Sequence, residues 1–257
     1  TAPSGDWDFS TANWLDGSNS TTYSDGDTVE FDGGRPTKFR GDTNGVAIVP
    51  SEVRPAAMRF DGGYGARFVF TGGDIAGTAP TTVANGQAQF SRNGSYSFAG
   101  GITATGSQAR LVFSPQLTTG GGTYQLGADA IALENQAIFS FAPALAATLG
   151  SDLNIGAGTP TLTENTNADW SGSTITLNGD VQIPRDNDMA GAAFTLTGDR
   201  TIHLATDRNR TVNFQGVATG PHTATMRIID NGFGGDFKMS NLHNYSSDDV
   251  LITNPNQ

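Results

Sequence analysis

The chain has 257 residues, of which 34 are glycine and none is cysteine, and its formal net charge is −11 at pH 7. The missing cysteines exclude disulfides and thiolate metal sites, while the negative charge disfavours nucleic acid and anionic membrane surfaces as partners. No apolar run is long enough for a membrane-spanning helix, so we expect no membrane insertion. Gly, Thr, Ser, Asn and Asp favour strands and turns, which predicts an all-β fold.

The first thirty-one residues differ from the rest of the chain. Trp7 and Trp14 lie close together in sequence, and Val29 and Phe31 alternate with polar residues in a strand that follows a turn. Large aromatic side chains can cover the open end of a stack of strands. We therefore predict an aromatic N-terminal cap in residues 1–31.

Short strands separated by glycine-rich turns follow the cap. Each combines alternating apolar and polar residues with turn-forming residues at its ends. The predicted strands are Val46–Val49, Arg67–Phe70, Ala88–Phe90, Tyr96–Phe98, Arg110–Phe113 and Thr123–Leu126.

Residues 142–150 are the least strand-like part of the chain. A proline near the start, alanines within and a final glycine are the punctuation of a short helix, but the segment follows a predicted strand at Ile138–Phe141 and also fits a solenoid corner. The periodicity is weakest over residues 156–167, where a boundary would fall if the chain held two domains. We expect one elongated all-β domain over residues 1–257.

One short sequence pattern occurs four times in the second half of the chain. Each copy alternates apolar residues with Thr, Asn or His and leads into Gly, Asn or Asp, the pattern of a half-buried strand closed by a turn. The copies are Thr174–Gly179, Phe194–Gly198, Thr201–Leu204 and Thr211–Gly216. A chain of this kind stacks its strands.

The C-terminal part carries a longer pattern. Thr201–Leu204 and Thr211–Ala218 are followed by the turn Met239–Tyr245 and the strand Val250–Ile252. This pattern resembles the autotransporter-associated β-strand repeat, and the Trp-rich opening resembles the start of secreted bacterial proteins with such repeats. The family usually continues Thr-Gly-Gly-Thr after the tyrosine, whereas Ser246–Asp249 follows here.

The resemblance implies an extracellular, right-handed parallel β-solenoid with a structural or adhesive role, and it transfers no catalytic residue. The same short strands also fit a β-sandwich or jelly roll, which is the alternative fold. The start at Thr1, together with a Lys-poor and Gly-rich body, is typical of a processed exported protein. We expect the protein to be secreted, extracellular or on a cell surface.

Two aspartate-rich turns are candidate Ca²⁺ sites. Asp25 and Asp27 flank a glycine, and Asp186 and Asp188 flank an asparagine, so both turns are dense in the oxygen ligands that calcium prefers. Neither has the full spacing of a calcium-binding loop, and ordinary turns are the favoured interpretation. No cofactor is predicted, with Ca²⁺ left open.

Charged residues near the C-terminus raise carbohydrate chemistry as an alternative. Asp199–Arg200, with the charged residues of 207–210, resemble the acid, base and arginine sets of polysaccharide lyases, but exposed ion pairs on turns are favoured. Asp248 and Asp249 would point to opposite faces of a strand, so they cannot flank one glycosidic bond unless a turn intervenes.

Histidines and tyrosines give no clear site. The three histidines are too dispersed for zinc. Tyr23, Tyr64 and Tyr124 are candidates for stacking on sugars, with packing between strands the favoured interpretation.

Function is therefore predicted from architecture. The ends of stacked strands expose backbone groups that can pair with another chain, which predicts head-to-tail self-association. We predict a non-catalytic extracellular structural protein, a subunit of a surface filament or adhesive matrix. The alternative is a carbohydrate-active β-helix protein, either a polysaccharide lyase or hydrolase or a module that binds surface glycans. The residues assigned to self-association are Trp7, Trp14, Val29, Phe31, Val250 and Ile252.

Overall fold

A computed structural model provides the structure of the chain. It describes residues 5–32, 43–78, 80–92, 96–97, 99–116, 123–126, 131–164, 167–184, 188–189, 193–206, 212–214, 217–218, 222, 224–230, 237–239 and 250–253. These residues form strands, turns and bends without a helix, so they contain no helix suited to crossing a membrane. The predicted all-β class is confirmed.

The described strands are short and follow one another along the chain. They are β1 (Gly5–Trp7), β2 (Trp14–Asp16), β3 (Asn19–Thr21), β4 (Thr28–Asp32), β5 (Thr43–Val53), β6 (Ala57–Asp61), β7 (Arg67–Ile75), β8 (Thr81–Phe90), β9 (Ile102–Thr105), β10 (Ala109–Phe113), β11 (Thr123–Tyr124), β12 (Ile131–Glu134), β13 (Ile138–Phe141), β14 (Ala147–Leu149), β15 (Leu153–Ile155), β16 (Thr161–Glu164), β17 (Ala168–Asp169), β18 (Thr174–Leu177), β19 (Val181–Ile183), β20 (Asp188–Met189), β21 (Ala193–Leu196), β22 (Arg200–Thr206), β23 (Val212–Phe214), β24 (Val217–Ala218), β25 (Ala224–Asp230), β26 (Phe237–Met239) and β27 (Val250–Thr253).

Successive coils stack these strands into parallel sheets. Sheet 1 contains β4, β6, the first half of β8, β9, β12, β15, β18, β21 and β24. Sheet 2 contains β1, β5, β7, the second half of β8, β10, β13, β16, β19, β22, β25 and β27. Two short stacks, β11-β14-β17 and β20-β23-β26, complete the later coils. The predicted parallel β-solenoid is confirmed, and the alternative sandwich is wrong.

Inward side chains at one register position form continuous apolar columns along the solenoid. Alternation along each strand points every second side chain inward, and parallel pairing then aligns these side chains from coil to coil. One fully aligned column of sheet 1 consists of Phe31, Phe60, Val83, Ala104, Leu133, Ile155, Leu177 and Leu196. All of these side chains are buried. The core therefore runs along the solenoid axis.

A bend in β8 joins the two long sheets. Thr81–Val83 pair with β9 in sheet 1, whereas Gln87–Phe90 pair with β7 in sheet 2. Gly86 lies at the bend with φ of 84°, and a Cβ there would approach the Ala66 carbonyl oxygen to 3.0 Å. Both the positive φ and the close approach require glycine at this corner.

Residues 142–150, which carry the proline and glycine typical of helix ends, form a corner followed by a strand. Residues 147–149 are β14, and Asn167 donates its side-chain amide to the Pro143 and Ala144 carbonyls at 3.3 and 3.1 Å. The helix interpretation is therefore wrong, because a side chain from the next coil satisfies the corner's carbonyl groups in place of helical hydrogen bonds. Further along the chain, β16 lies within the weakly periodic segment and continues sheet 2, since it pairs with β13 and β19.

Candidate functional site

An aromatic cluster fills the N-terminal end of the solenoid. The Trp7 ring packs edge to face against Trp14, Tyr23 and Phe31, with centroid distances of 5.4, 5.2 and 5.9 Å. Trp7 and Phe31 have no exposed area, and Trp14 and Val29 are also buried. These four residues, assigned to self-association from sequence, therefore place their side chains in their own subunit's core.

Polar side chains cover the outer edge of the cap. The Asn13 side-chain amide donates to the Asp6 carbonyl at 2.5 Å, which occupies an acceptor of β1. The Asp8 carboxylate accepts from the backbone N–H groups of Ser10 and Thr11 at 2.7 and 2.6 Å. Occupied edge groups are a recognised protection against pairing with a foreign strand. The Asp6 carbonyl of β1 is thus unavailable to another strand.

The hydrogen bonds to Asp8 hold it in its ionised form. The Thr11 hydroxyl also donates to this carboxylate, at 2.6 Å. The hydroxyl and N–H of Thr11, followed by the N–H of Ser10, lower the pKa of Asp8 from 3.8 to about 2. The turn after β1 is therefore stabilised by a charge that persists well into the acid range.

A cleft opens beside the cap, between the β2–β3 hairpin and the start of β4. The hairpin turns at Gly17, which has φ of 60°, and pairs Trp14 with Thr21. The cleft has a volume of about 360 Å³. Its lining consists of Trp14, Leu15, Asp16, Thr21, Thr22, Tyr23, Asp27, Thr28 and Val29. The open surface of the cleft is mostly polar, because Trp14, Tyr23 and Val29 are almost fully buried.

Two polar groups of this cleft have no partner among the described residues. The Trp14 indole Nε1 is buried and donates no hydrogen bond. The Asp16 side chain is exposed and makes no hydrogen bond or ion pair with the described part of the chain. Asp27, by contrast, accepts the Ser24 N–H at 2.8 Å through one oxygen. The Trp14 N–H is covered by protein atoms, so of these two groups the Asp16 carboxylate is the one open to solvent.

The candidate calcium ligands that the structure describes serve as turn acceptors. Asp25 Oδ1 accepts from the Arg54 N–H at 2.8 Å and from the Tyr23 hydroxyl at 3.1 Å. Burial, reinforced by Asp25, raises the pKa of Tyr23 far above its ordinary value, so the phenol stays protonated. Asp186 lies outside the described residues, and for Asp188 only the backbone in β20 is described. Within the described part of the chain, no group of three side chains is arranged to hold a metal.

Aspartates recur as ties between successive coils. Asp152 Oδ1 accepts the Thr174 N–H, and Asp180 Oδ1 accepts the Thr201 N–H, both at 2.8 Å. In each pair the aspartate precedes a strand, and its partner occupies the same place one coil later. The aspartates that follow turns therefore link coils that are more than twenty residues apart in sequence.

A second kind of tie lies at the corner after sheet 2. The Gln89 amide donates to the hydroxyls of Ser91 and Ser114 at 2.9 and 2.7 Å, and those two hydroxyls are 3.1 Å apart. Arg67 donates two hydrogen bonds to the Gln89 oxygen, at 2.9 and 2.6 Å. Gln89, Ser91 and Ser114 are buried, and their hydrogen bonds join neighbouring coils in one satisfied polar network.

The charged set considered for a lyase is only partly described. Arg200 donates to the carbonyls of Leu177 and Asp199 at 3.3 and 2.9 Å, while residues 207–210 and 248–249 lie outside the described residues. His203 occupies an outward, half-buried position, and burial lowers its pKa, with Arg227 adding to the effect and Asp180 opposing it. The described geometry gives Arg200 a role in binding backbone carbonyls.

The tyrosines considered for sugar stacking occupy different environments. Tyr23 is buried in the aromatic cluster, and Tyr124 is buried beside Phe113 with ring centroids 5.9 Å apart. Tyr64 is 58% exposed in the turn between sheets 1 and 2. Only Tyr23 of the three lines the cleft.

The sequence analysis did not predict that the residues lining the cleft lie next to one another. Trp14 and Asp16 belong to the hairpin, whereas Asp27 and Thr28 enter from the next segment, so only the fold makes them neighbours. The Asp16-Gly17 step is the one available signal, because this pair is typical of a tight hairpin turn. The chain matches no protein-family model, no curated protein and no solved structure.

Proposed function

We propose that the chain is a non-catalytic structural protein that acts outside the cell, as a self-associating subunit of a surface filament or adhesive layer. The observation that carries the proposal is the repeated tie between coils, in which Asp152 and Asp180 each bind the backbone of the following coil. These ties add to the parallel ladders that already join every described coil of sheet 2. A stack bonded in this way resists bending and separation of its coils, which suits a load-bearing segment.

The outward surface of sheet 1 also supports a structural role. Its central outward column contains Thr82, Thr103, Asn154, Thr176 and Thr195, with one alanine between them. These side chains are small, polar and evenly spaced by the strand repeat. Such a surface stays soluble along the length of the stack, because polar side chains recur from coil to coil.

The extracellular assignment rests on composition and on the resemblance given above. The chain has two lysines, Lys38 and Lys238, and no cysteine. This composition suits an exported β protein that is exposed to oxidants. The autotransporter-associated repeat, which the C-terminal strands resemble, is a feature of secreted bacterial proteins. Secretion and surface location are therefore proposed together.

Self-association is assigned to β27. Val250 and Ile252 pair with Met226 and Ile228 of β25, so this strand completes a rung of its own subunit's sheet. Among the described strands, β25 is the one that has a residue-by-residue pairing with β27. Because an unpaired strand edge is a template for another chain, we propose that this edge forms one side of a head-to-tail contact between copies.

Electron microscopy of the purified chain tests the proposal, with a reducing-sugar assay on a polysaccharide panel beside it. Filaments or ordered clusters without release of reducing sugar are expected. Isolated particles at high protein concentration would contradict the assembly role. Release of reducing sugar would favour the alternative, a carbohydrate-active enzyme.

A further inference from the structure

We propose that the outward face of sheet 2 around Arg67 and Arg110 binds an acidic polysaccharide, whose sugar units carry carboxylate or sulfate groups. The two arginines lie on β7 and β10. The inference goes beyond self-association, because neither arginine belongs to β27 and binding of a glycan does not require contact between copies.

Register neighbours on sheet 2 place the two arginines in one outward column. The residues of this column alternate along their strands with buried residues, so their side chains point away from the core. The column consists of Arg67, Gln87, Arg110, Ile138, Thr161 and Gln182. The outward column beside it consists of Val69, Gln89, Val112, Ser140 and Thr163. Neither column contains a carboxylate, although the formal net charge of the chain is −11.

A neutral amide holds the Arg67 side chain in place. Its Nε and Nη2 groups donate to the Gln89 side-chain oxygen at 2.9 and 2.6 Å, and the Gln87 amide donates to the same oxygen at 3.0 Å. Gln89 is buried, and its own amide donates to the hydroxyls of Ser91 and Ser114. Gln89 therefore orients the guanidinium without neutralising its charge, and it uses two of the five N–H donors that an arginine carries.

Arg110 is an exposed cation without a partner. It makes no hydrogen bond or ion pair with the described part of the chain, whereas the exposed Arg59 of sheet 1 pairs with Asp61 at 2.6 Å. Arg67 and Arg110 are both register neighbours of Gln87, so their Cα atoms lie two strand spacings, about 10 Å, apart. Exposed charges more than about 8 Å away are largely screened at physiological salt, so the net negative charge of the chain does not prevent an anion from binding here.

An acidic polysaccharide matches this column in charge, chemistry and shape. A guanidinium group binds carboxylates and similar oxyanions through paired N–H donors. Further along the column, Thr161 and Gln182 offer a hydroxyl and an amide, which can bind the neutral hydroxyl groups of a sugar. The column follows the stack of coils, so an extended polymer can contact several strands and add their weak contacts together.

Two other anionic partners fit this face less well. A second copy of the chain would present sheet 1, where the described outward carboxylates without a partner are Asp32 and Glu134. These lie four strands apart, whereas the two arginines lie two strands apart. Nucleic acid would bring many phosphates to a chain of net charge −11, and two arginines neutralise few of them.

Arginine-to-glutamine variants at matched places locate the site. Arg110→Gln removes the charge of an exposed, unpaired side chain, so we expect the fold to be kept. Arg59→Gln is its control, because it changes the net charge by the same amount on sheet 1. Arg67→Gln removes the second arginine of the column. Circular dichroism and thermal melting establish that each variant folds.

Isothermal titration calorimetry of the full chain with alginate, dextran sulfate, neutral dextran and polyglutamate measures binding at low and physiological salt. We expect alginate or dextran sulfate to bind, more weakly at the higher salt, and neutral dextran not to bind. The better of the two acidic polymers tells whether carboxylate or sulfate is preferred. Arg110→Gln and Arg67→Gln should each weaken binding about fivefold, as the loss of one exposed charge pair predicts. Arg59→Gln should bind as the unaltered chain does.

Four results would overturn the inference. The first is no binding of alginate or dextran sulfate, and the second is unchanged binding by Arg110→Gln, which decides the matter if Arg67→Gln does not fold. The third is an equal loss in Arg59→Gln, which would make the effect one of net charge. The fourth is polyglutamate binding as tightly as the glycans, or loss of self-association in Arg110→Gln without glycan binding, which would make the partner a protein surface. The proposed filament can fail or stand independently, because electron microscopy of the unaltered chain tests it without any glycan.

Discussion

The rings of Phe31 and Phe60 stack face to face, with centroids 4.8 Å apart and planes 7° from parallel. The two residues are register neighbours on β4 and β6, so the spacing of parallel strands sets the spacing of the rings. Phe113 and Phe141 of sheet 2 are register neighbours in the same way, with ring centroids 5.8 Å apart and planes 28° from parallel. Like residues at like positions therefore stack along the solenoid axis.

The Phe60 ring should be a major contributor to stability. Phe60→Ala removes a fully buried ring between neighbouring coils, and we expect it to lower the free energy of unfolding by about 3–5 kcal/mol. Urea denaturation followed by circular dichroism measures the change. Val49→Ala is the control, because Val49 is exposed and should change stability by less than about 0.5 kcal/mol. Equal losses in the two variants would contradict the stacked core.

Gly86→Ala tests the corner that joins the two long sheets. The substitution forces a Cβ onto a residue with positive φ and toward the Ala66 carbonyl, so we expect a loss of about 1–3 kcal/mol. Gly45→Ala is the matched change, because a Cβ there meets nothing within 4 Å and its φ is not positive. The difference in urea midpoint between the two variants is the measurement. A Gly86→Ala chain as stable as Gly45→Ala would show that β8 does not bend there.

The hydrogen bonds to Asp8 should make the stability of the folded chain depend on pH in the acid range. The pKa of Asp8 falls from 3.8 to about 2 on folding, so the carboxylate's contribution to stability is fully present above about pH 4 and is lost as the pH falls through about 2. Asp8→Asn should flatten the fall in urea midpoint over that window. Thr11→Val, which removes the largest cause of the shift, should move the loss to higher pH. If the urea midpoint changed with pH in the same way in all three chains, the Asp8 carboxylate would not stabilise the turn.

Calcium should not be needed for the fold. Asp25 and Asp27 are already committed to backbone N–H groups at 2.8 Å, and we expect the same melting temperature in excess EDTA as in millimolar calcium. Differential scanning calorimetry checks this. A calcium-dependent rise that Asp25→Asn abolishes would show that the turn binds the ion. A rise that survives in Asp25→Asn would place the ion elsewhere.

Alternation in the sequence predicted many strands, but it did not determine their neighbours. The predicted strands at Arg67–Phe70 and Arg110–Phe113 lie within β7 and β10, because apolar residues at every second position mark a half-buried strand in any sheet. Alternation does not distinguish parallel from antiparallel pairing, and the parallel solenoid came from a family resemblance. Residues 142–150 fitted a short helix or a solenoid corner, and local sequence could not decide between them because the hydrogen bonds that favour the corner come from Asn167 in the next coil.

The site was harder to predict than the fold. Trp14, Val29 and Phe31 were assigned to contact between copies because a terminal strand within residues 1–31 was predicted to pack onto a neighbour, and their side chains lie in their own subunit's core. The cleft depends on how a hairpin folds against β4, a contact that no local pattern encodes. The Asp152 and Asp180 ties were equally hidden, since turn aspartates look alike in sequence whether or not they reach another coil.

Sedimentation velocity of a chain with a charged β27 edge tests the proposed assembly most directly. Leu251→Glu with Thr253→Glu places two like charges on the strand whose second edge is proposed to pair with another copy. Thr176→Glu with Thr195→Glu adds the same charge to the outward surface of sheet 1, away from that edge. The account predicts large, concentration-dependent species for the unaltered chain and the sheet 1 variant, and a single small species for the β27 variant. A single small species for the unaltered chain, or assembly that persists in the β27 variant, would contradict it.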